Sequence, residues 1–287
     1  MSTLRGLFRL ACVGRTFFKY KKKILNAPEH QRQAAFHEMV DHLHKVFNIK
    51  VNVVGTPLGN TGRRTLYAIN HVSNLDALIV NGPIENASNI ADSGVADWQL
   101  LRIGEFAQSL GTVFVQHVGS KISDEEKAKI VQQTCDAAQA PFDQGNNLIL
   151  FPEGTMSNGT QLLKFRPAIF SLAYRPGNED LAVQPVALEV ASVNGQPVPK
   201  GVPSKLRERY ARYSEVTQGA DGKKIYTNNK SMFALIWHMA TNADITFNIT
   251  FLPELDKTAY TDHIEMAQAA RAAIGKTMEI EEFRPAA

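Results

Sequence analysis

The sequence has little cysteine and no long apolar run. Only Cys12 and Cys135 occur among its 287 residues, which excludes a disulfide framework and a cysteine metal cluster and favours a reducing compartment. No segment approaches the roughly 18–20 apolar residues that a membrane-spanning helix requires. A secretory signal is not expected, because Arg9 and Arg15 interrupt the apolar residues near the start.

Several enzyme signatures are also missing. A serine hydrolase would show the nucleophile elbow G-x-S-x-G, which the chain lacks. The tripeptide GKT at 275–277 lacks the upstream glycine of a phosphate-binding loop. The stretch HEMVDH at 37–42 has three residues, not two, between its glutamate and second histidine, so it misses the zinc-protease motif. His37, Asp41 and His44 share a helical face, for which we expect a solvated polar surface. We therefore predict no metal site.

The first 23 residues contain seven basic residues and no acidic one. The rest of the chain has 24 basic and 28 acidic residues, so the basic character is concentrated at the start. Side chains such as Leu7, Phe8 and Phe18 accompany these cations, which is typical of an amphipathic helix on an anionic membrane. A helix packed on the core and an organellar transit peptide are the alternatives. The slight acidity of the remainder argues against a nucleic-acid partner.

Apolar periodicity predicts alternating helices and short strands. Helices are expected at 30–46, 97–109, 124–140, 229–243 and 260–279, and Ser123 with Glu126 forms a capping-box start for the third. Strands are expected at 49–54, 65–69, 112–116, 147–151, 182–188 and 245–251. This order predicts an α/β fold with a largely parallel central sheet flanked by helices. We expect an N-terminal membrane-associating helical region at 1–48 and one domain at 49–287.

Three polar motifs each follow a predicted strand directly. NHVSNLD at 70–76 follows the strand at 65–69, QH at 116–117 follows the strand at 112–116, and FPEGTMSNG at 151–159 follows the strand at 147–151. Ligands of an open parallel sheet bind in the crevice beyond the carboxyl ends of the strands. If these strands are parallel, all three motifs face one crevice, which predicts a functional site there.

The first and third motifs offer complementary chemistry. His71 is a natural general base near neutral pH, and Asp76 can orient its ring if the aspartate lies in the first turn of a following helix. Glu153 adds a carboxylate, and Gly154 permits close approach of the backbone to a ligand. Taken singly, His71 could be an ordinary surface histidine and Glu153 an acid at a helix start.

The spacing of these motifs resembles the glycerolipid acyltransferase family, which includes lysophosphatidic acid and lysophospholipid acyltransferases. The resemblance rests on His71 with four residues before Asp76 and on FPEGT at 151–155. It covers about residues 60–190, including GTVFVQH at 111–117 and VQPVA at 183–187. The stretch from Phe151 to Phe170, followed by VQPVAL, is similar to the lysophosphatidylcholine acyltransferase branch. The resemblance as a whole implies a glycerol-phosphate acyltransferase-like fold.

The resemblance also implies a reaction and its residues. His71 would take the proton of a lysolipid hydroxyl, supported by Asp76, and the oxygen would attack an acyl thioester of coenzyme A or acyl carrier protein without an acyl-enzyme. No cofactor is implied beyond that co-substrate. Substrate-binding or site-building roles are implied for His117, Glu153, Gly154, Thr155, Lys164 and Arg166.

Two positions depart from the family pattern. His117 and Met156 stand where the family usually has arginines associated with the acceptor phosphate. Arginine binds phosphate bidentately and is always charged, whereas histidine is partly charged and methionine is neutral. The departures leave room for a zwitterionic lysophospholipid or an amino-acid lysolipid such as lyso-ornithine lipid. We expect a peripheral membrane enzyme of lipid synthesis on the cytoplasmic face; a non-catalytic membrane-binding protein of the same fold is the alternative.

Overall fold

The computed structural model describes residues 2–73, 75–96, 102–115, 123–202, 204–210, 215–218, 224–227 and 232–283. Its α-helices are α1 (Ser2–Asn26), α2 (Glu29–Phe47), α3 (Asp76–Val80), α4 (Ser93–Ala96), α5 (Ile103–Ser109), α6 (Asp124–Asp143), α7 (Lys205–Tyr210), α8 (Met232–Thr241) and α9 (His263–Thr277). Short 3-10 helices lie at Leu58–Thr61, Ala168–Tyr174, Lys257–Ala259 and Glu281–Phe283.

Most of the described strands form one sheet. The strands are β1 (Ile49–Val54), β2 (Thr65–Ile69), β3 (Ala87–Asp92), β4 (Val113–Val115), β5 (Asn147–Leu150), β6 (Ala182–Val193), β7 (Gln196–Pro197), β8 (Glu215–Gln218), β9 (Lys224–Thr227) and β10 (Ile245–Phe251). The sheet order is β1-β10-β6-β2-β5-β3-β4, with β7 paired to β6, while β8 and β9 form a separate antiparallel pair. The neighbours from β6 to β4 are parallel, and β10 runs antiparallel to β6.

Helices cover both faces of the sheet because its central strands are apolar on both sides. Tyr67 and Ile69 of β2 join a core that includes buried residues of α1, α2 and α8. Leu66 and Ala68, which point the other way, join a core with α6 and α9. The result is a sheet between two helical layers, which confirms the predicted α/β class with a largely parallel sheet flanked by helices.

The predicted elements are found with small shifts at their ends. Each predicted strand is present, as are the helices predicted at 30–46, 124–140, 229–243 and 260–279. Ser123 and Glu126 form the expected capping box at the start of α6. The helix predicted at 97–109 is described from Ile103 to Ser109 and the one predicted at 229–243 from Met232 to Thr241; residues 97–101 and 229–231 lie outside the described ranges.

The N-terminal helix α1 packs on the domain with one face. Tyr20 and Ile24 are buried in the core shared with the sheet, and Arg9 donates to backbone carbonyls at the end of α8, including Asn242 O at 2.5 Å. The opposite face exposes apolar side chains such as Leu4 and Phe8. The predicted boundary at residue 48 falls between α2 and β1, and α1, α2 and the strands share one core. Within the described ranges, no helix is both long and apolar enough to span a bilayer.

Candidate active site

The site begins where β2 ends, and Asn70 makes the transition. Backbone pairing between β2 and β6 runs as far as Ile69 opposite Val186. The buried side-chain amide of Asn70 then donates to Leu188 O at 2.9 Å and accepts from Leu188 N at 2.7 Å. The amide thus replaces one more backbone pair, which lets the chain turn out of the sheet without leaving buried polar groups unpaired. His71 consequently stands at the carboxyl edge of the sheet.

Asp76 orients the ring of His71. Its Oδ2 lies 2.8 Å from Nδ1 of His71 and also accepts the backbone N–H groups of Val72 at 2.7 Å and Ser73 at 2.9 Å. Asp76 is fully buried at the first position of α3, as expected, while the His71 side chain keeps 17% of its surface exposed. An aspartate bound at Nδ1–H leaves Nε2 as the basic nitrogen. The pair can therefore accept a proton from a hydroxyl group.

Glu153 holds the backbone of the same turn. The strand β5 lies beside β2, so the loop after β5 meets the turn after β2. Oε1 of Glu153 accepts from His71 N at 2.7 Å, and Oε2 accepts from Leu163 N at 2.8 Å. The side chain is only 3% exposed. This burial raises the pKa of Glu153 to about 8, against the lowering effect of the two N–H donors.

Two further contacts of the loop at 151–166 fix His71. Ser157 N donates to His71 O at 2.8 Å, so the loop engages both backbone polar groups of the histidine. The ring of Phe151 stacks on the imidazole with centroids 4.3 Å apart and planes inclined by 25°. The face of an aromatic ring attracts a cation, so this stacking favours the imidazolium that forms when His71 accepts a proton.

Gly154 lets the side chain of Arg166 fold back against the start of this loop. Its φ of +66° is in the left-handed region, and a Cβ at this position would lie 2.5 Å from Cζ and Nε of Arg166. The absence of a side chain therefore lets the Arg166 guanidinium lie against the residue that follows Glu153. Lys164, Arg166 and Thr155 are all exposed. Their predicted roles in substrate binding stay predictions.

The second motif, QH at 116–117, lies outside the described residues, and the metal prediction is not tested. His117 lies outside the described residues, so its predicted role in substrate binding stays a prediction. Its strand, β4, is parallel to β2 and β5 through β3 and points its carboxyl end to the same edge. No cluster of three or more histidine, cysteine or acidic residues in the described ranges is arranged to hold a metal ion.

Three further residues of this neighbourhood have no role predicted from the sequence. Asn70 and Phe151 are the first residues of the two motifs, and an amide directly after an apolar strand is a sequence signal for Asn70. Arg271, on α9, donates to the carbonyls of Leu162 and Leu163 beside Glu153. No local pattern points to Arg271, because 108 residues separate it from Leu163.

Comparisons with known proteins find similarity to acyltransferases. Residues 50–189 match the family model of acyltransferases. The chain is 32% identical over 177 residues to the lyso-ornithine lipid O-acyltransferase of Brucella abortus, covering 60% of each protein. It is 33% identical over 130 residues to the 1-acyl-sn-glycerol-3-phosphate acyltransferase of Neisseria gonorrhoeae, covering 45% of this chain and 47% of that protein. The chain thus spans about half to three-fifths of these curated relatives.

A solved structure shares the fold over nearly the whole chain. The 1-acyl-sn-glycerophosphate acyltransferase of Thermotoga maritima superposes with a TM-score of 0.58, covering 99% of this chain and 98% of that one. Sequence identity is 14%, so this likeness concerns the fold. It agrees with the acyltransferase-like architecture expected from the motifs.

Proposed function

We propose that the protein moves a fatty acyl group from an acyl thioester to the free hydroxyl of a lysolipid; the match of residues 50–189 to the acyltransferase family model and the similar acyltransferases support this proposal. The observation that carries the proposal is the bond of 2.8 Å between His71 Nδ1 and Asp76 at the carboxyl edge of the sheet. A histidine oriented in this way is the general base that such a transfer needs. The reaction belongs to membrane lipid synthesis.

In the proposed acyl transfer, the oriented imidazole of His71 acts as the general base. Nε2 of His71 takes the proton of the lysolipid hydroxyl as its oxygen attacks the thioester carbonyl carbon. The carbon–sulfur bond then breaks, and the thiolate leaves and takes the proton from the imidazolium. Asp76 stabilises the imidazolium throughout, and Phe151 faces it with its ring. Coenzyme A or acyl carrier protein is the thiol carrier, and no acyl-enzyme is required.

Two acceptor classes remain, and they differ in the headgroup. Arg166 against Gly154 and the exposed Lys164 supply cations for the phosphate of a lysophospholipid or lysophosphatidic acid. Met156 at an expected arginine position, and relatives named for lyso-ornithine lipid, support an amino-acid lysolipid. We rank the glycerolipid acceptor first, because Lys164 and Arg166 place two exposed cations on the loop that carries Glu153, where they can meet a phosphate.

A membrane surface is the proposed partner of α1. Because β10 begins opposite the end of β6, at Val193, the end of α8 lies towards the same edge as His71. Arg9 ties α1 to that end of α8. The outer face of α1 exposes Leu4, Leu7, Phe8 and Phe18 among cations. These features suit a peripheral position on an anionic leaflet, with the site facing the lipid; a cytoplasmic face is expected from the reducing compartment.

The test is thiol release from acyl-coenzyme A with a panel of lysolipids, for the wild type and His71→Ala. Release that requires both a lysolipid and His71 would support the acyltransferase, and the preferred lysolipid would identify the acceptor class. If no lysolipid gave release, the assay would be repeated with acyl carrier protein as the donor. Failure with both donors would overturn the proposed function in favour of a non-catalytic membrane-binding protein.

A further inference from the structure

Glu153 joins two separate backbone segments. One carboxylate oxygen accepts from the amide of His71, and the other accepts from the amide of Leu163. Only a carboxylate can accept at both oxygens, because a carboxamide carries hydrogens on one side. The position of the His71 turn therefore depends on where Leu163 lies.

Arg271 fixes Leu163 from the opposite side. Its Nε donates to Leu163 O at 2.8 Å and its Nη2 to Leu162 O at 2.5 Å. Nη1 and Nη2 also bond the carboxylate of Glu282, which lies beyond α9. Arg271 is 21% exposed in its side chain, and Leu162 is buried in the core with α9. A planar guanidinium carries its donors on separate nitrogens in a fixed fork, so Nε and Nη2 each bond one of two adjacent carbonyls and fix their relative positions.

We propose that Arg271 is a positioning residue for the candidate active site: it holds Leu162 and Leu163 so that the Leu163 amide and Glu153 together fix the backbone of His71. This inference rests on the proposed function for its catalytic meaning. The contacts run from Arg271 on α9 to the carbonyls of Leu162 and Leu163. They continue from the Leu163 amide to the Glu153 carboxylate, which accepts from the amide of the base, His71. Arg271 touches no reacting atom in this scheme, and its effect on the reaction passes through Leu163 and Glu153 to the backbone of His71.

Arg271→Met tests the link, because methionine keeps an apolar stem against the core and removes the donors. We expect faster hydrogen exchange at the His71 and Leu163 amides, by several-fold, and a fall in kcat of about tenfold with KM for acceptor and donor little changed. Arg271→Lys should recover part of both losses. Unchanged exchange at the two amides, or a kcat that falls only in proportion to the unfolded fraction, would overturn the proposal.

Two controls separate this link from general stability. Arg63→Met removes an arginine from an exposed pair with Glu254 next to the start of β2, at the other edge, and should alter neither the exchange at His71 nor kcat. Glu282→Gln leaves the carbonyl contacts of Arg271 in place and should cost little. If Glu282→Gln lowered kcat as much as Arg271→Met, the ion pair and not the carbonyl contacts would carry the effect, and the proposal would fail.

A double variant gives the sharpest outcome. If Arg271 acts through Glu153, adding Arg271→Met to Glu153→Gln should lower kcat no further than Glu153→Gln alone. Losses that multiply in full would overturn the proposal. A wild type that transfers no acyl group to any lysolipid would instead overturn the proposed function, and the exchange measurement would still decide whether Arg271 holds the His71 turn.

Discussion

Oδ2 of Asp76 lies 2.8 Å from Nδ1 of His71 and accepts the backbone N–H groups of Val72 and Ser73 as well. One carboxylate oxygen therefore fixes both the orientation of the His71 ring and the backbone conformation of the turn that carries it. The four residues between histidine and aspartate are the length that brings the first turn of α3 back to the ring. The motif is a compact structural unit as well as a pair of catalytic groups.

Asp76→Asn tests the role of this oxygen. An asparagine presents an amide group that can face Nδ1 as a donor, which reverses the tautomer and takes the basic electron pair away from Nε2. We expect kcat to fall at least about a hundredfold. Thiol release measured beside a thermal melt would separate this loss from unfolding. Near wild-type turnover would contradict the assignment of His71 as the base.

Glu153 predicts opposite pH trends for activity and stability. Its pKa is raised from 4.5 to about 8, first by burial and then by Asp76, while the amides of His71 and Leu163 and the charge of Arg271 oppose the rise. Between these values the folded protein binds more protons than the unfolded chain, so the contribution of Glu153 to the free energy of unfolding declines as pH rises. Activity should increase over the same window, because only the ionised carboxylate accepts both amides.

Glu153→Gln checks both trends. Urea unfolding across the window should show a flatter pH dependence for this variant than for the wild type, since the titrating group is gone. Its kcat should be low and should lose the rise with pH that Glu153 causes. An unfolding free energy with the same slope in both proteins would show that Glu153 is not titrating there.

The sequence predicted those parts of the fold and site that depend on local pattern. Apolar runs indicated β2 and β5, and the order of elements indicated a parallel sheet. Together they predicted that the motifs at 70–76 and 151–159, which follow these strands, lie close to each other. β3 escaped detection because Ser88 and Asn89 make it look polar; pairing with β5 overrides that composition. Arg271 could not be found, because its contact with Leu163 exists only after α9 packs on the second core.

The Asn194–Gly195 turn is a signal that could have been used. The predicted strands include none at 196–197, whereas β7 pairs with β6 just after this dipeptide. Both turn residues have positive φ, 53° and 72°, which is the geometry that asparagine–glycine favours in a two-residue hairpin. The hairpin follows from local chemistry alone.

Phe151→Leu tests the ring stacked on His71. Leucine keeps most of the apolar volume and removes the aromatic face that favours the imidazolium. We expect kcat to fall about two- to tenfold, in keeping with the strength of aromatic pairs. Phe142→Leu, in α6 and part of the second core, is the matched control that should lower the melting temperature but spare kcat. Equal kcat for Phe151→Leu and the wild type would show that the Phe151 ring does not contribute to catalysis.

Asn70→Leu tests the amide that ends β2. The substitution keeps a similar shape but leaves the N–H and C=O of Leu188 buried without their partners. Each of the two unpaired groups costs about 1–3 kcal/mol, so we expect a loss of roughly 2–6 kcal/mol in the free energy of unfolding. Asn52→Leu is the matched control, because its bond to Asn248 lies on an exposed face. Equal losses in the two variants would mean that Asn70 has no special part in ending the strand.

The outer face of α1 gives a test of membrane binding that spares the core. Deleting residues 1–23 would also remove Tyr20, which is buried, so a loss of binding after deletion could reflect damage to the fold. Replacing Leu7 and Phe8 with serine changes only side chains that are 56% and 70% exposed. The matched control replaces Val53 and Val54 on the edge strand β1, which are 45% and 57% exposed.

Co-sedimentation with vesicles that contain phosphatidylglycerol is the measurement. Each side chain of this kind contributes about 1 kcal/mol or more when it leaves water, so the α1 variant should bind at least about tenfold more weakly. The β1 variant should bind as the wild type does. Binding should also weaken with added salt, since the cations of α1 act over only about 10 Å at 0.1 M ionic strength. Unchanged binding of the α1 variant would mean that another surface meets the lipid, and the exposed apolar face of α1 would then need a different partner.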